Sequence, residues 1–462
     1  MTAVDFSSLK LNPSLISNLD SLGYQKMMPI QAESLPPILA GKDVIAQGKT
    51  GSGKTAAFGL GLLNKLEVKR FRIQALLLCP TRELADQVAV EIRRLARSIH
   101  NIKVLTLCGG KPFGPQVGSL EHGAHIIVGT PGRVEDHLRR GTLKLTHVDT
   151  LVLDEADRML DMGFQESLDF IIEQIPEQRQ TLLFSATYPE RIRSIAERIM
   201  HDPLMVKVEG SHDNETIAQT FYQVAEDADR LDALHLLLQL HRPPSALVFC
   251  NTRKEVQEVA NALNRLGFSA LALHGELEQR DRDQALVRFA NKSISILVAT
   301  DVAARGLDIE ALDAVFNYHL AHEQEVHLHR VGRTGRAGGK GIAATIYSEA
   351  EAYRIAALEV YLDRNVERAV LPDVALLQAE AYSAEMVCLQ IDGGKKQKVR
   401  LGDILGALTA GKGIEGSAVG KIHLFPSWAY VAVKRSVANM ALKKLSTGKL
   451  KGRSFRVRQI GH

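Results

Sequence analysis

Cysteine is scarce in this chain: four in 462 residues, Cys79, Cys108, Cys250 and Cys388. No two of them form a Cys-x-x-Cys pair, which excludes the usual zinc-ligand spacing and a dense disulfide framework. They are expected to be reduced, mostly buried thiols in a cytosolic protein. Long apolar runs are missing too. No stretch approaches the ~18 residues that a membrane span needs. Met1 to Leu11 show no basic start followed by an apolar run, so no signal peptide is expected. Strong charge of one sign is also absent, the net being only +4. Within that balance, Tyr382 to His462 carry fifteen Lys+Arg against four Asp+Glu, a net of +11 that leaves −7 for the rest. A basic tail on a mildly acidic body points to a polyanionic partner for the tail. The plainer alternative is a solvated basic domain with no partner.

At ~150 residues per domain the length suggests about three domains. Val44-Ile45-Ala46 reads as a short buried strand, and Gly48-Lys49-Thr50-Gly51-Ser52-Gly53-Lys54-Thr55 follows it. This is the phosphate-loop spacing of Gly, four residues, Gly-Lys-Thr, placed between a strand and a helical stretch, Ala56 to Leu66. Glycines let backbone N–H groups converge on phosphate oxygens, Lys54 supplies a charge, and Thr55 a hydroxyl for Mg²⁺. Further apolar runs alternate with amphipathic stretches: Ala75 to Cys79, Lys103 to Leu107, His125 to Val128, Thr150 to Leu153 and Thr181 to Phe184. That alternation predicts a parallel sheet covered on both faces, with ligands at the carboxyl ends of its strands. One run ends in Asp154-Glu155-Ala156-Asp157. A carboxylate at the end of a buried strand is costly without a metal or a hydrogen-bonding partner. Asp154 therefore reads as a Mg²⁺ contact, and Glu155 as the group that orients and deprotonates an attacking water. The alternative is a strand whose first polar residues simply face solvent.

Glu209 to Thr216 is polar and unpatterned, a linker by composition. Beyond it the alternation restarts at Ala246 to Cys250, Ala270 to Leu273, Ile294 to Ala299, Ala314 to Phe316 and Ile342 to Ile346, without a second phosphate loop. His329 to Arg336 sets arginines three apart on a glycine-containing turn, able to meet a γ-phosphate from a neighbouring domain. Leu371 to Ala381 reads as a connector. The tail then shows strands Met386 to Ile391, Lys421 to Phe425, Ala429 to Val433 and Ser454 to Gln459, with helices Gly402 to Thr409 and Lys434 to Leu445. That βαββαβ order is the ferredoxin-like pattern of RNA-recognition (RRM) domains.

The ordered set of motifs, from Gly23–Gln31 through Ala46–Thr55, Pro80–Leu84, Thr130–Arg133, Asp154–Asp157, Ser185–Thr187, Val248–Thr252, Gln279–Arg282 and Val298–Asp308 to His329–Arg336, resembles the DEAD-box ATPases. The resemblance implies an α/β fold of two tandem RecA-like domains, 1–208 and 217–370, followed by the RRM-like domain, 382–462. It implies RNA-stimulated ATP hydrolysis with ATP and Mg²⁺. Phe6 and Gln31 would select adenine, and Asp308 would meet the ribose. Gly51, Ser52, Gly53, Lys54 and Thr55 would hold phosphates, with Thr55 and Asp154 on Mg²⁺. Glu155 would be the general base, and Arg333 and Arg336 the arginine fingers. Ser185 and Thr187 would bond to Asp157 and couple nucleotide state to domain closure. RNA backbone contacts would come from Pro80, Thr81, Arg82, Gly110, Thr130, Gly132, Arg133, Gln279, Arg282 and Thr300.

In the tail, Trp428 and Tyr430 partly fit the aromatic strand motif of RRM domains. The basic residues Lys395, Lys396, Lys398, Arg400, Lys434, Arg435, Lys451 and Arg453 are the stronger expectation for RNA. The whole chain resembles a bacterial branch of the family with such a tail. That likeness implies a 23S rRNA hairpin near the peptidyl-transferase region as target and remodelling of large-subunit assembly intermediates by a cytoplasmic monomer. An ATP-gated RNA clamp that does not unwind is the alternative.

Overall fold

The computed structural model describes residues 4–48, 51–208, 217–304, 312–335, 341–411 and 413–461. The expected linker 209–216, Asp308, Arg336 and two phosphate-loop residues, Lys49 and Thr50, lie outside the described residues. The described residues fall into two compact units, 4–208 and those from 217 onward.

The first unit holds one sheet built from β1 (Val44–Gln47), β2 (Ala75–Leu78), β3 (Val104–Leu107), β4 (Ile126–Gly129), β5 (Thr150–Asp154), β6 (Gln180–Ser185) and β7 (Leu204–Lys207). Their spatial order is β3-β4-β2-β5-β6-β1-β7, and every pairing is parallel. The central strands are buried along their whole length, so each face must be apolar, and two clusters form on the opposite faces. Alternation places them: Leu77 and Val152 look one way, Leu76, Leu78, Leu151 and Leu153 the other.

The second unit repeats this plan with β8 (Ile217–Val224), β9 (Ala246–Phe249), β10 (Ala270–Leu273), β11 (Ile296–Ala299), β12 (Ala314–Asn317), β13 (Gly341–Ser348) and β14 (Glu367–Ala369), in the order β10-β11-β9-β12-β13-β8-β14, again all parallel. Strands β7, β8 and β14 were not expected from the sequence. Each lies at or next to a sheet edge, where β7 exposes three of four residues and β14 all three, so no continuous apolar run marks them.

The tail forms a four-stranded antiparallel sheet from β15 (Met386–Ile391), β16 (Val419–Leu424), β17 (Ala429–Lys434) and β18 (Val457–Gln459), ordered β16-β17-β15-β18. With helices Leu401–Thr409 and Ala438–Thr447 this is the ferredoxin-like arrangement. The second helix starts four residues later than expected because Lys434 still belongs to β17 and Arg435–Val437 make a single 3-10 turn.

The tail sheet does not face solvent where an RRM would bind bases. Helix α1 (Gln279–Ala290) of the second domain lies on it. Val287 packs with Cys388 and Tyr430, with Phe425, Trp428 and Ile460 around them. Arg280 stands over the Trp428 ring at 5.3 Å, and Asn291, just past the helix, donates to Cys388 Sγ at 3.4 Å. The connector is tied down as well: Gln239 Nε2 donates to the Ala379 carbonyl at 2.8 Å, and Tyr382 packs edge-on to Phe268.

Replacing Val287 by Asp removes apolar burial and puts a charge into this contact, at an expected cost of about 2–4 kcal/mol. Calorimetry of the full chain should then show the tail unfolding separately from, and below, the second domain.

Candidate nucleotide and RNA sites

The candidate residues of the first domain converge at the carboxyl ends of its strands. After β1 the chain turns through Gly51 and Gly53, both at positive φ, and enters α-helix Lys54–Lys65. Gly53 is at φ +88°, and a Cβ there would overlap the Gln31 amide. Gln31 is 2% exposed: its Nε2 donates to the Gly53 carbonyl at 3.1 Å and its Oε1 accepts from the Met28 amide at 2.8 Å. Gln31 thus braces the loop and caps its own helix. Phe6 is 2% exposed, packed in the domain core and edge-on to Tyr24. It is not an open platform for a base, which differs from the expectation.

Lys54 is buried, with Nζ on the Gly48 carbonyl at 2.8 Å. Thr55, one residue on, is half-buried in the first helical turn. Asp154 ends β5 and is 3% exposed, and its Oδ1 has no hydrogen-bond partner. Burial, partly offset by Lys54 and reinforced by Glu155, pushes its pKa up to about 7. A buried carboxylate oxygen left without a partner suits a hard divalent cation such as Mg²⁺. Among the described residues no group of three or more His, Cys, Asp or Glu could hold a metal ion, so phosphate oxygens would have to complete its shell.

Glu155 turns the chain from β5 into helix Ala156–Asp161 at φ 53°, ψ 50°, a left-handed conformation that costs of order 1 kcal/mol for a residue with a Cβ. Asp157 Oδ2 accepts from both the Thr187 amide and its hydroxyl at 3.0 Å, and Ser185 Oγ lies 3.4 Å from the Asp157 amide. Burial opposes ionisation of Asp157, but Arg158, the Thr187 amide, Lys54 and the Thr187 hydroxyl outweigh it and hold its carboxyl below the ordinary range.

A second cluster gathers after β2, β3 and β4. Thr81 caps helix Arg82–Leu95 by accepting from the Leu84 amide at 3.2 Å, and Pro80 just before it is buried. Gly110, at φ +71°, lies so close under the Arg82 guanidinium that a Cβ would overlap it. Arg133 Nη1 donates to the Lys111 carbonyl at 3.0 Å, and its guanidinium stands over Phe113. Thr130 and Gly132 open the helix that carries Arg133. In the second domain, Arg282 Nη2 donates to the Ala303 carbonyl at 3.1 Å, while the Thr300 hydroxyl accepts from the Ala303 amide at 3.3 Å. Gln279, one turn before Arg282, donates to Asp283. Each domain therefore offers its own small group of donors and exposed backbone.

Residues 28–195 match the DEAD/DEAH box helicase model, 229–338 the helicase conserved C-terminal domain, and 388–459 the DbpA RNA binding domain. The ATP-dependent RNA helicase DbpA of Escherichia coli K12 is 54% identical over 461 residues, covering 100% of both chains. The chain belongs to the DEAD-box RNA helicases. A second member, CshA of Bacillus anthracis, is 44% identical over 382 residues, 82% of this chain and 72% of that protein. Among solved structures, Saccharomyces cerevisiae Dbp5 bound to RNA and ADP BeF3 is similar with TM-score 0.70 and 30% identity, over 79% of this chain and 95% of that one. Mss116p bound to ssRNA and AMP-PNP is similar with TM-score 0.73 and 27% identity, over 82% of this chain and 82% of that one. This DEAD-box protein is thus an RNA-stimulated ATPase and an ATP-dependent RNA helicase with an added RNA-binding domain. None of its described helices is long and apolar enough to cross a membrane.

In this helicase the eight basic tail residues separate. Lys395, Lys396, Lys398 and Arg400 are exposed on the loop after β15. Lys451 is near them, since it pairs at 3.6 Å with Asp403, whose other contact is the Arg400 amide, and Arg453 is two residues on. Lys434 and Arg435 lie at the opposite end of the sheet, beside Glu385 and the Ala384 carbonyl. Gly394 lets the Lys395–Lys398 loop press against the β16–β17 turn, where the Lys395 and Lys396 amides donate to the Phe425 and Pro426 carbonyls at 3.0 and 2.8 Å. Tyr430, 1% exposed, and Trp428, half-buried, are taken up by helix α1, so the two rings expected to meet RNA have a packing partner instead.

Two buried arginines escaped the sequence reading as individuals. Arg330, 1% exposed, donates to both carboxylate oxygens of Asp301 at 2.6 and 2.7 Å, to the His319 carbonyl at 2.7 Å and to Asn251 Oδ1 at 3.1 Å. It ties the ends of β9, β11 and β12 together just before Arg333, which is itself 4% exposed. Arg158 pairs with Glu155. Their positions next to the recognised motifs were the available signal.

Gly110→Ala should displace Arg82. Its half-saturating RNA concentration for ATPase activation is expected to rise about tenfold, roughly 1.4 kcal/mol, with RNA-free turnover unchanged, as titration of ATPase rate against RNA will show.

Proposed function

We propose that this helicase locally remodels 23S rRNA during large-subunit assembly, directed by its tail to an rRNA hairpin near the peptidyl-transferase region. The observation that carries the ATPase half is the orphaned Asp154 carboxylate beside Lys54 and Glu155. Support for the tail half is the match of 388–459 to the DbpA RNA binding domain and the exposed basic loop Lys395–Arg400.

In this reading the loop amides and Lys54 hold the ATP phosphates, and Lys54 gives up the Gly48 carbonyl to do so. Thr55 and Asp154 would hold Mg²⁺, which when bound neutralises phosphate charge. Glu155 orients a water and accepts its proton. Arg333 and Arg336 approach the γ-phosphate from the second domain. The Gln31 amide reads adenine, and Asp308 meets the ribose.

RNA is gripped by its backbone: Arg82, Gly110 and Arg133 with Pro80, Thr81, Thr130 and Gly132 on one domain, Gln279, Arg282 and Thr300 on the other. Backbone and 2′-OH contacts make the grip independent of sequence. Closure around ATP then bends the strand away from its complement, and Asp157, through Ser185 and Thr187, links the two events. Sequence choice falls to the tail. Because helix α1 covers the sheet, the loop side of the tail is the surface left for the hairpin. The protein acts as a monomer in the cytoplasm.

Glu155→Gln is expected to lower turnover by about 10²–10⁴-fold, the usual worth of a general base, while ATP binding persists. Reversing Lys395, Lys396 and Lys398 to Glu in the full chain should abolish the preference of the ATPase for a 23S hairpin fragment over unrelated RNA. Retained preference would count against the tail assignment.

A further inference from the structure

Arg158 has no part in the mechanism above, yet it is among the most enclosed charges of the first domain, 3% exposed. Its Nη1 donates to Glu155 Oε2 at 2.6 Å, and both side chains are buried, at 4% and 5% exposure. Its backbone amide donates to Asp157 Oδ1 at 3.0 Å. Arg158 therefore touches the carboxylate assigned to hydrolysis and the carboxylate that binds Thr187. Glu155, in turn, leaves β5 in a left-handed conformation that its surroundings must maintain.

The guanidinium occupies one acceptor site of the Glu155 carboxylate and fixes how it is turned, so while the bond holds the side chain is not free to swing toward a water. Arg158 and Glu155 are three residues apart on one short helical segment, so the pair forms inside the first domain alone. Nothing from the second domain is needed to make it. We infer that Arg158 is a positioning residue that holds Glu155 back in the RNA-free protein and yields it when RNA binding rearranges the Asp157–Thr187 contact. The inference rests on the reading of Glu155 as general base. It gives the first domain a built-in brake on hydrolysis that is not coupled to RNA. Arg158 acts through Glu155 and Asp157, not on ATP itself.

The test compares ATP turnover with and without saturating RNA in the full-length protein and its Arg158→Met and Arg158→Lys variants, each checked by thermal unfolding. Met fills the space without donating, so the stimulation ratio should fall at least about threefold, chiefly because RNA-free turnover rises. Lys keeps a charge but loses the fork, and should give an intermediate ratio. A role in packing alone would lower both rates together and leave the ratio unchanged. An unchanged or increased ratio in either folded variant overturns the inference, so a Met variant that fails to fold leaves the Lys variant to decide. Glu155→Gln, alone and combined with Arg158→Met, separates the two readings. Inactivity in both backgrounds supports Glu155 as the base whatever the ratio does, whereas near-native turnover removes the base assignment and with it the brake.

Discussion

Asp154 stands where β5 stops being apolar, and the cost of a carboxylate there governs its surroundings. Lys54 is drawn in on one side, Glu155 is turned into a left-handed corner on the other, and one oxygen keeps no partner at all. A buried polar atom without a partner costs of order 1–3 kcal/mol. The first domain carries that cost together with backbone strain at the very next residue. Such expenditure is characteristic of a site shaped for a ligand rather than for the resting fold. The strands on both sides supply the stiffness that keeps it in place.

The second domain solves a related problem without a phosphate loop. Arg330 is a fully enclosed guanidinium satisfied by Asp301, Asn251 and the His319 carbonyl, so three strand ends are locked to one side chain. Removing any partner would leave a buried charge short of acceptors, which is far more damaging than losing a surface pair. The strand-end loops of this domain, including the one with Thr300, are thereby held to a common framework. Arg158 and Arg330 share a logic: each is a buried arginine satisfied by side chains or carbonyls at the strand ends of its own domain.

Most of the plan was legible in the chain. The strands of both parallel sheets announce themselves as short apolar runs because burial on two faces leaves no room for polar residues. The phosphate loop and the Asp154–Asp157 stretch are legible because their chemistry admits few substitutes. The edge strands β7, β8 and β14 were not, since exposure removes the apolar signature. Phe6 is expected to stack on adenine, and Trp428 and Tyr430 partly fit an aromatic strand motif for bases. A ring that stacks on a base and a ring that packs under a helix have the same composition, and only the partner tells them apart. For Tyr430 that partner is Val287, 143 positions earlier in the chain, with no local pattern to betray it.

Helix α1 serves two masters. Its first turn carries Gln279 and Arg282, the latter bonded to Ala303 as Thr300 is, while Arg280 and Val287 are committed to the tail sheet. A change where it meets the tail sheet therefore alters how the appended domain is seated on the second domain, and a change at Arg282 alters the hold on the loop after β11. Grafting the tail onto another motor would transfer whatever it holds but not its aim, unless residues 279–291 travelled with it.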